Sequence, residues 1–327
     1  MRSLIRAAAA SLLAFGIAQS ATAQTSSGGA NWPEKPVKLV VGFTAGSATD
    51  VTARMFAQKF SEAWGQPVVV ENVTGNSGAI GVDRVAKAAP DGYTLMWSGN
   101  AAITILPSLQ ALPFDPLKDL TTISTSLVMP SVFVVNNDLP VKSIAELIAH
   151  AKANPGKLSY GTPGVGTPQH IAGELFCHLA GIKMEHIPYR GANLTDVMSG
   201  VVPVGIQNAG AGMPLVRDGR VRGIAVTSLK RATAAPDLPT LAEQGFPGFE
   251  ATSWFALLGP AGLPKPIVDK VRAESLKVLA DVEYKKRFEA MGLDLVGSTP
   301  EETRAAIAAD IPKWKKVIEQ AGIKPAQ

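Results

Sequence analysis

Cysteine is nearly absent from this chain of 327 residues, since Cys177 is the only one. A disulfide framework within the chain and a CxxC-type metal or redox site are therefore excluded. Charge of one sign is also scarce: 31 Lys and Arg stand against 27 Asp and Glu, with no run of five like charges. No basic stripe is interleaved with aromatic residues. Nucleic-acid binding has little support, and a small-molecule partner is favoured.

The motifs of several enzyme classes are missing as well. The chain has no GxSxG or HExxH sequence, and its four histidines show no metal-ligand spacing. The loop at 161–166 reads GxxGxG rather than the GxGxxG of dinucleotide-binding folds, and 155–159 lacks the GKS or GKT of a phosphate-binding loop. Cys177 lies in an apolar stretch, which favours a buried structural thiol over a nucleophile. We expect no enzyme activity, cofactor or metal, although a secreted α/β enzyme stays open as an alternative.

The first two dozen residues differ from the rest of the chain. Arg2 and Arg6 precede an apolar run at 7–18 and give this segment a positive start. Ala21-Thr22-Ala23, which follows the run, has the small side chains of a cleavage site. The apolar run is about a dozen residues long, whereas a membrane span needs about twenty. The pattern predicts a cleaved signal peptide at 1–23 and a mature protein in the bacterial periplasm.

Strand and helix patterns alternate after this segment. The order β-α-β-α-β before residue 100 predicts a parallel sheet that is covered by helices on both faces, in an α/β fold. Lys38-Leu39-x-x-Gly42 recurs as Lys157-Leu158-x-x-Gly161, which indicates a second lobe of similar design.

The boundaries of the two lobes are predicted from where the second strand-and-helix pattern begins and ends. We predict a first lobe at 31–128 and 253–327 and a second lobe at 129–252, with the C-terminal part packed on the first lobe. The chain then crosses between the lobes twice, which makes a hinge and a ligand cleft between them.

Two loops rich in Gly, Ser and Thr, at 43–50 and 161–170, follow buried strands and lead into helices. Ligands of open parallel sheets bind at the carboxyl ends of the strands, so we expect the two loops to face one another. Backbone N–H groups at a helix start carry the positive end of the helix dipole and can bind an anion. The hydroxyls that join them are those of Ser47, Thr49, Thr162 and Thr167. This cradle contains no lysine and suits a carboxylate better than a phosphate.

Several of these residues have a second interpretation. Ser47 with Asp50 has the S-x-x-D pattern of a helix cap, and Thr167 before Pro168 is a typical N-cap residue. His170 is placed either to orient the loop or to reach the ligand. Arg190 either pairs with a carboxylate or lies at the surface. The sequence leaves these alternatives open.

Five motifs occur in order along the mature chain. They are Trp32-Pro-Glu-Lys-Pro-Val, Gly65-Gln-Pro-Val-Val-Val-Glu-Asn72, Ala89-Pro-Asp-Gly-Tyr-Thr-Leu95, Gly166-Thr-Pro-Gln-His170 and Thr252-Ser-Trp-Phe255. Together they resemble the Bug/TctC family, the extracytoplasmic solute receptors of tripartite tricarboxylate transporters. The resemblance implies a two-lobed Venus-flytrap fold without catalysis, which delivers a captured organic carboxylate to a membrane permease. A carboxylate binder that serves a sensor rather than transport stays open.

The resemblance also implies that three loops hold the ligand carboxylate. Carried onto this sequence, the ligand residues are Phe43, Ser47 and Ala48 in the first loop, Ser98 and Asn100 after the third strand, and Thr167 and His170 at the second helix start.

Two departures from the family pattern concern the ligand. Gln207-Asn208-Ala209-Gly210 replaces an Asp-Asn-Leu-Pro sequence, and the first loop lacks a Pro-Gly pair. Gln207 and Asn208 therefore join the candidate site, and neutral Gln207 argues against the ammonium group of an amino acid. Small residues at 209–212 and Trp97 beside the third loop predict room for an aromatic dicarboxylate such as terephthalate. We expect a monomer.

Overall fold

The computed structural model describes residues 31–189 and 194–323. The predicted signal peptide and Arg190 lie outside these residues. The strands are, in chain order, β1 (Val37–Val41), β2 (Val68–Asn72), β3 (Thr94–Gly99), β4 (Leu120–Met129), β5 (Ser131–Val135), β6 (Ser159–Thr162), β7 (Glu185–Pro188), β8 (Val204–Asn208), β9 (Arg222–Val226), β10 (Ser253–Pro260) and β11 (Asp294–Leu295).

The α-helices lie between and after these strands. They are α1 (Ala48–Trp64), α2 (Ala79–Ala86), α3 (Ile144–Ala153), α4 (Pro168–Ala180), α5 (Leu194–Met198), α6 (Ala209–Arg217), α7 (Lys265–Ala280), α8 (Val282–Ala290) and α9 (Pro300–Ala321). Within the described part of the chain, no helix is both long and apolar enough to cross a bilayer.

The strands form two sheets of the same design. The first has the order β11-β4-β10-β3-β1-β2, and the second has the order β7-β6-β8-β5-β9. In the first sheet β1 pairs in parallel with β2 and β3, and β10 pairs antiparallel with β3. In the second, β6 pairs in parallel with β7 and β8, and β5 pairs antiparallel with β8. In each sheet, one antiparallel strand lies beside the three parallel strands, β10 in the first sheet and β5 in the second. Each of these two strands directly follows a chain crossing from the other sheet. Sequence patterns of single strands do not reveal this, and it makes both sheets mixed rather than parallel.

Helices cover both faces of the first sheet because its strands are apolar on both sides. Leu39 and Val41 of β1 pack in the cluster that contains Phe56 of α1, whereas Val40 packs with Val82 of α2 on the opposite face. All five side chains are fully buried. Alternate residues of a strand point to opposite faces, so a continuous apolar run needs a helical layer on each side.

Two connections between the sheets run side by side. Pro130 links β4 to β5, and the segment 227–252 links β9 to β10. The backbone N–H of Ser131 donates to Thr227 Oγ1, and the Thr227 N–H donates to the Ser131 carbonyl oxygen, both at 2.9 Å. The two crossings are thus joined to each other where the lobes meet.

The C-terminal part of the chain packs on both lobes. The strands β10 and β11 belong to the first sheet, but α9 contacts both cores: Ile307 lies in a cluster of the first lobe and Trp314 in the main cluster of the second. The sequence pattern predicted this whole segment on the first lobe, because amphipathic periodicity does not show which surface a helix covers. The lobe boundaries at 128–129 and 252–253 stay a prediction.

Candidate ligand-binding site

The first loop of the candidate site follows β1 and leads into α1. Ser47 is the N-cap residue of this helix, and its Oγ accepts a hydrogen bond from the Asp50 N–H at 3.2 Å. The capping interpretation of Ser47 therefore describes a real contact. The cap uses only the N–H of Asp50, so it does not exclude a second role for this loop in binding an anion.

Asp50 holds the first loop in place from below. Its carboxylate accepts hydrogen bonds from the Gly46 N–H at 2.9 Å and from Asn72 Nδ2 at 2.8 Å, and Arg54 Nε lies 3.0–3.1 Å from both oxygens. Asn72 Nδ2 also donates to the Phe43 carbonyl oxygen at 2.9 Å. Burial alone would raise the pKa of Asp50, but the hydrogen bonds from Arg54, Gly46 and Asn72 outweigh it and lower the pKa to about 2. The ionised, buried carboxylate of Asp50 thus holds the loop directly at Gly46 and, through Asn72, at Phe43.

Two glycines allow the neighbouring loop to approach Phe43. A Cβ atom on Gly42 would lie 2.6 Å from the Cα of Gly78, and one on Gly78 would lie 3.3 Å from the ring of Phe43. Gly78 also has φ of 96°, which favours glycine. The start of α2 therefore lies directly against the first loop.

The third loop follows β3, next to β1 in the sheet. Ser98 Oγ donates to the Gly99 carbonyl oxygen at 3.0 Å, and Asn100 Nδ2 donates to the Thr252 carbonyl oxygen at 2.9 Å. Both side chains are at least 98% buried. Asn100 consequently ties the third loop to the second crossing between the lobes.

Trp97 does not form an aromatic wall of the site, so that prediction was wrong. Its side chain is fully buried, and its ring stacks on Phe255 with centroids 6.4 Å apart. Its Nε1 donates to Thr52 Oγ1 at 3.0 Å. Residue 97 lies on the face of β3 that packs against α1, opposite in direction to Ser98, because successive strand residues point to opposite faces.

The second loop leads from β6 into α4. Thr167 is the N-cap residue: its Oγ1 accepts from the His170 N–H at 3.3 Å and donates to the Gly164 carbonyl oxygen at 2.7 Å. His170 Nδ1 accepts from the Gly166 N–H at 3.1 Å. Both side chains thus hold the loop that precedes their helix, which favours the loop-orienting interpretation of His170.

Burial makes His170 neutral. The ring is 5% exposed and stacks on His186 with centroids 3.8 Å apart. Burial, with the charge of His186 as a second cause, lowers the pKa of His170 to about 3. Burial also lowers the pKa of His186 to about 4, and His186 Nε2 lies 2.7 Å from Thr162 Oγ1.

Sequence reasoning missed the layer of residues beneath the second loop. Glu174 Oε1 accepts from the Tyr160 hydroxyl at 2.5 Å and lies 3.9 Å from His170 Nε2. Burial raises the pKa of Glu174, against the effect of the Tyr160 hydrogen bond. His170 and Glu174 are one helical turn apart, so their proximity could have been predicted from the sequence. His186 lies on β7 rather than on α4, so its contact with His170 could not be predicted in this way.

The end of β8 lies beside the second loop. Gln207 is 2% exposed, and Asn208 Oδ1 accepts a hydrogen bond from Gln169 Nε2. Gln169 also donates to Ser131 Oγ at 3.1 Å, and Ser131 is the register partner of Asn208. Gln169 is not among the candidate residues predicted from the sequence.

Ala209, Gly210 and Gly212 are used for packing, so the prediction that they leave room for a bulky acid was wrong, while Ala211 is exposed. A Cβ atom on Gly210 would lie 2.1 Å from the Met291 carbonyl oxygen, and one on Gly212 would lie 2.5 Å from Val132 Cγ1. Gly210 thus allows backbone of the two lobes to touch.

The candidate residues fall into two groups, one at the strand ends of each sheet. The loops after β1 and β3 are neighbours in the first sheet, and those after β6 and β8 are neighbours in the second. Between the lobes, a cavity of about 70 Å³ is lined by Asn76 and Ser77 on one side and by Val165 and Gly166 on the other. In the described part of the chain, no group of three His, Cys, Asp or Glu residues is placed to hold a metal ion.

One protein family matches most of this chain. A family model described as tripartite tricarboxylate transporter family receptor matches residues 52–323. The chain belongs to this family. BugT of Bordetella pertussis is 36% identical to it over 316 residues, which cover 94% of each protein. The family resemblance of the sequence motifs is thereby confirmed.

Solved structures of similar proteins support the same family. R. palustris Rpa4515 with adipate is 35% identical with a TM-score of 0.76, over 90% of this chain and all of that one. MatC (Rpa3494) from Rhodopseudomonas palustris with bound malate is 27% identical with a TM-score of 0.72, over 88% of this chain and 99% of that one. The tripartite tricarboxylate transporter receptor described here therefore has the two-lobed fold of periplasmic solute-binding proteins, as predicted.

Proposed function

We propose that this receptor captures a small organic dicarboxylate between its lobes and delivers it to the permease of a tripartite tricarboxylate transporter. The observation that carries the proposal is the position of the helix starts of α1 and α4. Each stands at the carboxyl edge of its own sheet, directly after a loop of the candidate site. Helix starts in this position are the usual anion-binding elements of α/β proteins.

The free N–H groups of these helix starts form the proposed carboxylate seat. Ser47 caps Asp50 in α1, which leaves the N–H groups of Ala48 and Thr49 for an anion. Thr167 caps His170 in α4 and leaves the N–H of Gln169. None of the nine candidate residues is Lys or Arg, so dipoles and hydrogen bonds supply the positive potential. A carboxylate, with two acceptor oxygens, matches this set of donors.

Neighbouring structures indicate the class of acid. The relatives solved with adipate and with malate both hold aliphatic dicarboxylates. Terephthalate is kept only as an alternative acid in the screen, because Trp97, Gly210 and Gly212 pack against other parts of the chain rather than leaving room for an aromatic ring. Buried Gln207 offers no negative charge to an ammonium group, so amino acids should bind less tightly than the matching acids.

Export and oligomeric state complete the proposal. We infer that residues 1–23 are removed as a signal peptide, that the receptor acts in the periplasm, and that it works as a monomer without catalysis. Neutral His170, fixed between Gly166 and the ring of His186, is not placed to act as a general base.

A screen of organic acids tests the proposal. Thermal unfolding of the mature chain is measured at fixed ionic strength with adipate, malate, citrate, terephthalate, benzoate, aspartate and glutamate, and each acid that raises the Tm is then titrated by calorimetry. We expect an aliphatic dicarboxylate to bind tightest. Tightest binding by aspartate or glutamate would contradict the argument from Gln207, and no binding by any carboxylate would contradict the proposed function.

A further inference from the structure

Gln169 is the polar side chain that joins the second loop of the site to the crossing between the lobes. It is the second residue of α4, one position after Pro168, and its side chain is 3% exposed. Its Nε2 donates one hydrogen bond to Ser131 Oγ at 3.1 Å and another to Asn208 Oδ1. An amide nitrogen has two hydrogens, so both are used.

The partners of Gln169 are themselves fixed. Ser131 is fully buried, and its N–H and carbonyl oxygen are both bonded to Thr227. Asn208 faces Ser131 in the register of β5 and β8, and the N–H of the next residue, Ala209, donates to the Pro130 carbonyl oxygen at 2.9 Å. Backbone pairing therefore places both acceptors, while Gln169 determines which way the Asn208 amide is turned.

The orientation of that amide has a chemical consequence. Asn208 is the N-cap residue of α6 but makes no side-chain cap, because its Oδ1 points to Gln169. The amide oxygen and nitrogen lie on opposite branches of the side chain, so Nδ2 is turned away from Gln169. If the amide flipped, Nδ2 would meet the Nε2 donor of Gln169, and two donors would face each other.

We propose that Gln169 is a positioning residue for the ligand: it locks the Asn208 amide so that Nδ2, a donor, faces the cleft and selects ligands with carboxylate acceptors. This inference rests on the proposed function, since it takes Asn208 as part of the carboxylate seat. It goes beyond that function by naming the side chain that determines whether Asn208 presents a hydrogen-bond donor or an acceptor to the ligand. The side chain of Gln169 acts on the ligand only through Asn208, whereas its backbone N–H belongs to the carboxylate seat itself.

A double-mutant cycle tests this proposal because it separates a positioning role from a structural one. Binding of adipate is measured by calorimetry for the wild type, Gln169→Met, Asn208→Ala and the double variant. Methionine keeps the length of the side chain but loses both hydrogen bonds. We expect each single variant to raise the Kd roughly tenfold, as for the loss of one hydrogen bond to a charged group. The double variant should bind adipate no more weakly than Asn208→Ala alone.

Gln244→Met is the matched control. Gln244 also lies in the second lobe and makes two hydrogen bonds, from its Nε2 to the Ile224 carbonyl oxygen and from the Ile144 N–H to its Oε1. Its replacement should lower the Tm but leave the Kd for adipate unchanged. The Tm of every variant is recorded, so that a loss of stability is not mistaken for a loss of affinity.

The outcomes are distinguishable. An unchanged Kd in Gln169→Met, or losses that add in the double variant, would overturn the role of Gln169 while the wild-type titration still supports the receptor function. Failure of the wild type to bind any dicarboxylate of the screen would overturn the proposed function, and the role of Gln169 with it.

Discussion

Replacing Asp50 by Asn tests how the first loop is held. The groups that approach this carboxylate are all donors: the Gly46 N–H, Asn72 Nδ2 and the guanidinium of Arg54. An asparagine offers one acceptor oxygen and one donor nitrogen, so at least one donor would face another donor. The variant removes a charge without changing the volume of the side chain.

The pKa of Asp50 gives the magnitude. Its folded value is about 2, against an ordinary value of 3.8, and one pKa unit corresponds to about 1.4 kcal/mol. The ionised carboxylate therefore contributes about 2 kcal/mol to the free energy of unfolding. Because the folded pKa is depressed, this contribution is fully present above the unfolded pKa and is lost as the pH falls towards 2.

Unfolding by urea, followed at several pH values, measures this difference. The Asp50→Asn variant should be less stable than the wild type by about 2 kcal/mol at neutral pH, and the gap should close as the pH falls towards 2. Asp237→Asn, at an exposed position outside the network, is the control and should keep the wild-type pH dependence. A constant gap at all pH values would refute the reasoning, because the loss would then not come from the charge.

Three further predictions concern the site. Ser47→Ala and Thr167→Ala should each lower the free energy of unfolding by about 1 kcal/mol through the lost cap. If their hydroxyls also bind the acid, adipate binding measured by calorimetry should weaken by about 1–3 kcal/mol, and an unchanged Kd would leave them as caps only. Gln207→Asp should weaken adipate binding in the same assay by placing negative charge in the cleft, and equal or tighter binding would contradict a role for this position. Gly210→Ala should lower the Tm, because the new Cβ meets the Met291 carbonyl oxygen, and an unchanged Tm would show that the lobes do not touch there.

The sequence predicted most of the parallel core and the helix starts of the site. Apolar runs such as 38–43 and caps such as Ser47 and Thr167 are local signals, and the structure contains the corresponding strands and caps. The antiparallel strands β5 and β10 were not predicted as such, because the direction of a strand depends on its partner. The same holds for α9, whose two halves pack on different lobes.

Errors at the site have a common physical cause. Trp97, Gly210 and Gly212 were interpreted as lining a ligand, whereas they serve packing within and between the lobes. A residue type shows what a position can do but not which surface it faces. Gln169 was missed for the converse reason, since its partners Ser131 and Asn208 are each nearly forty residues away along the chain.

Solution scattering tests most directly whether the protein is a receptor that closes on an acid. The radius of gyration of the mature chain is measured without ligand and with a saturating concentration of the acid that binds tightest in the screen. Two lobes joined by a hinge bury the ligand between them, so the radius of gyration should decrease on binding. Saturated binding with an unchanged radius of gyration would contradict closure of the lobes around a carboxylate.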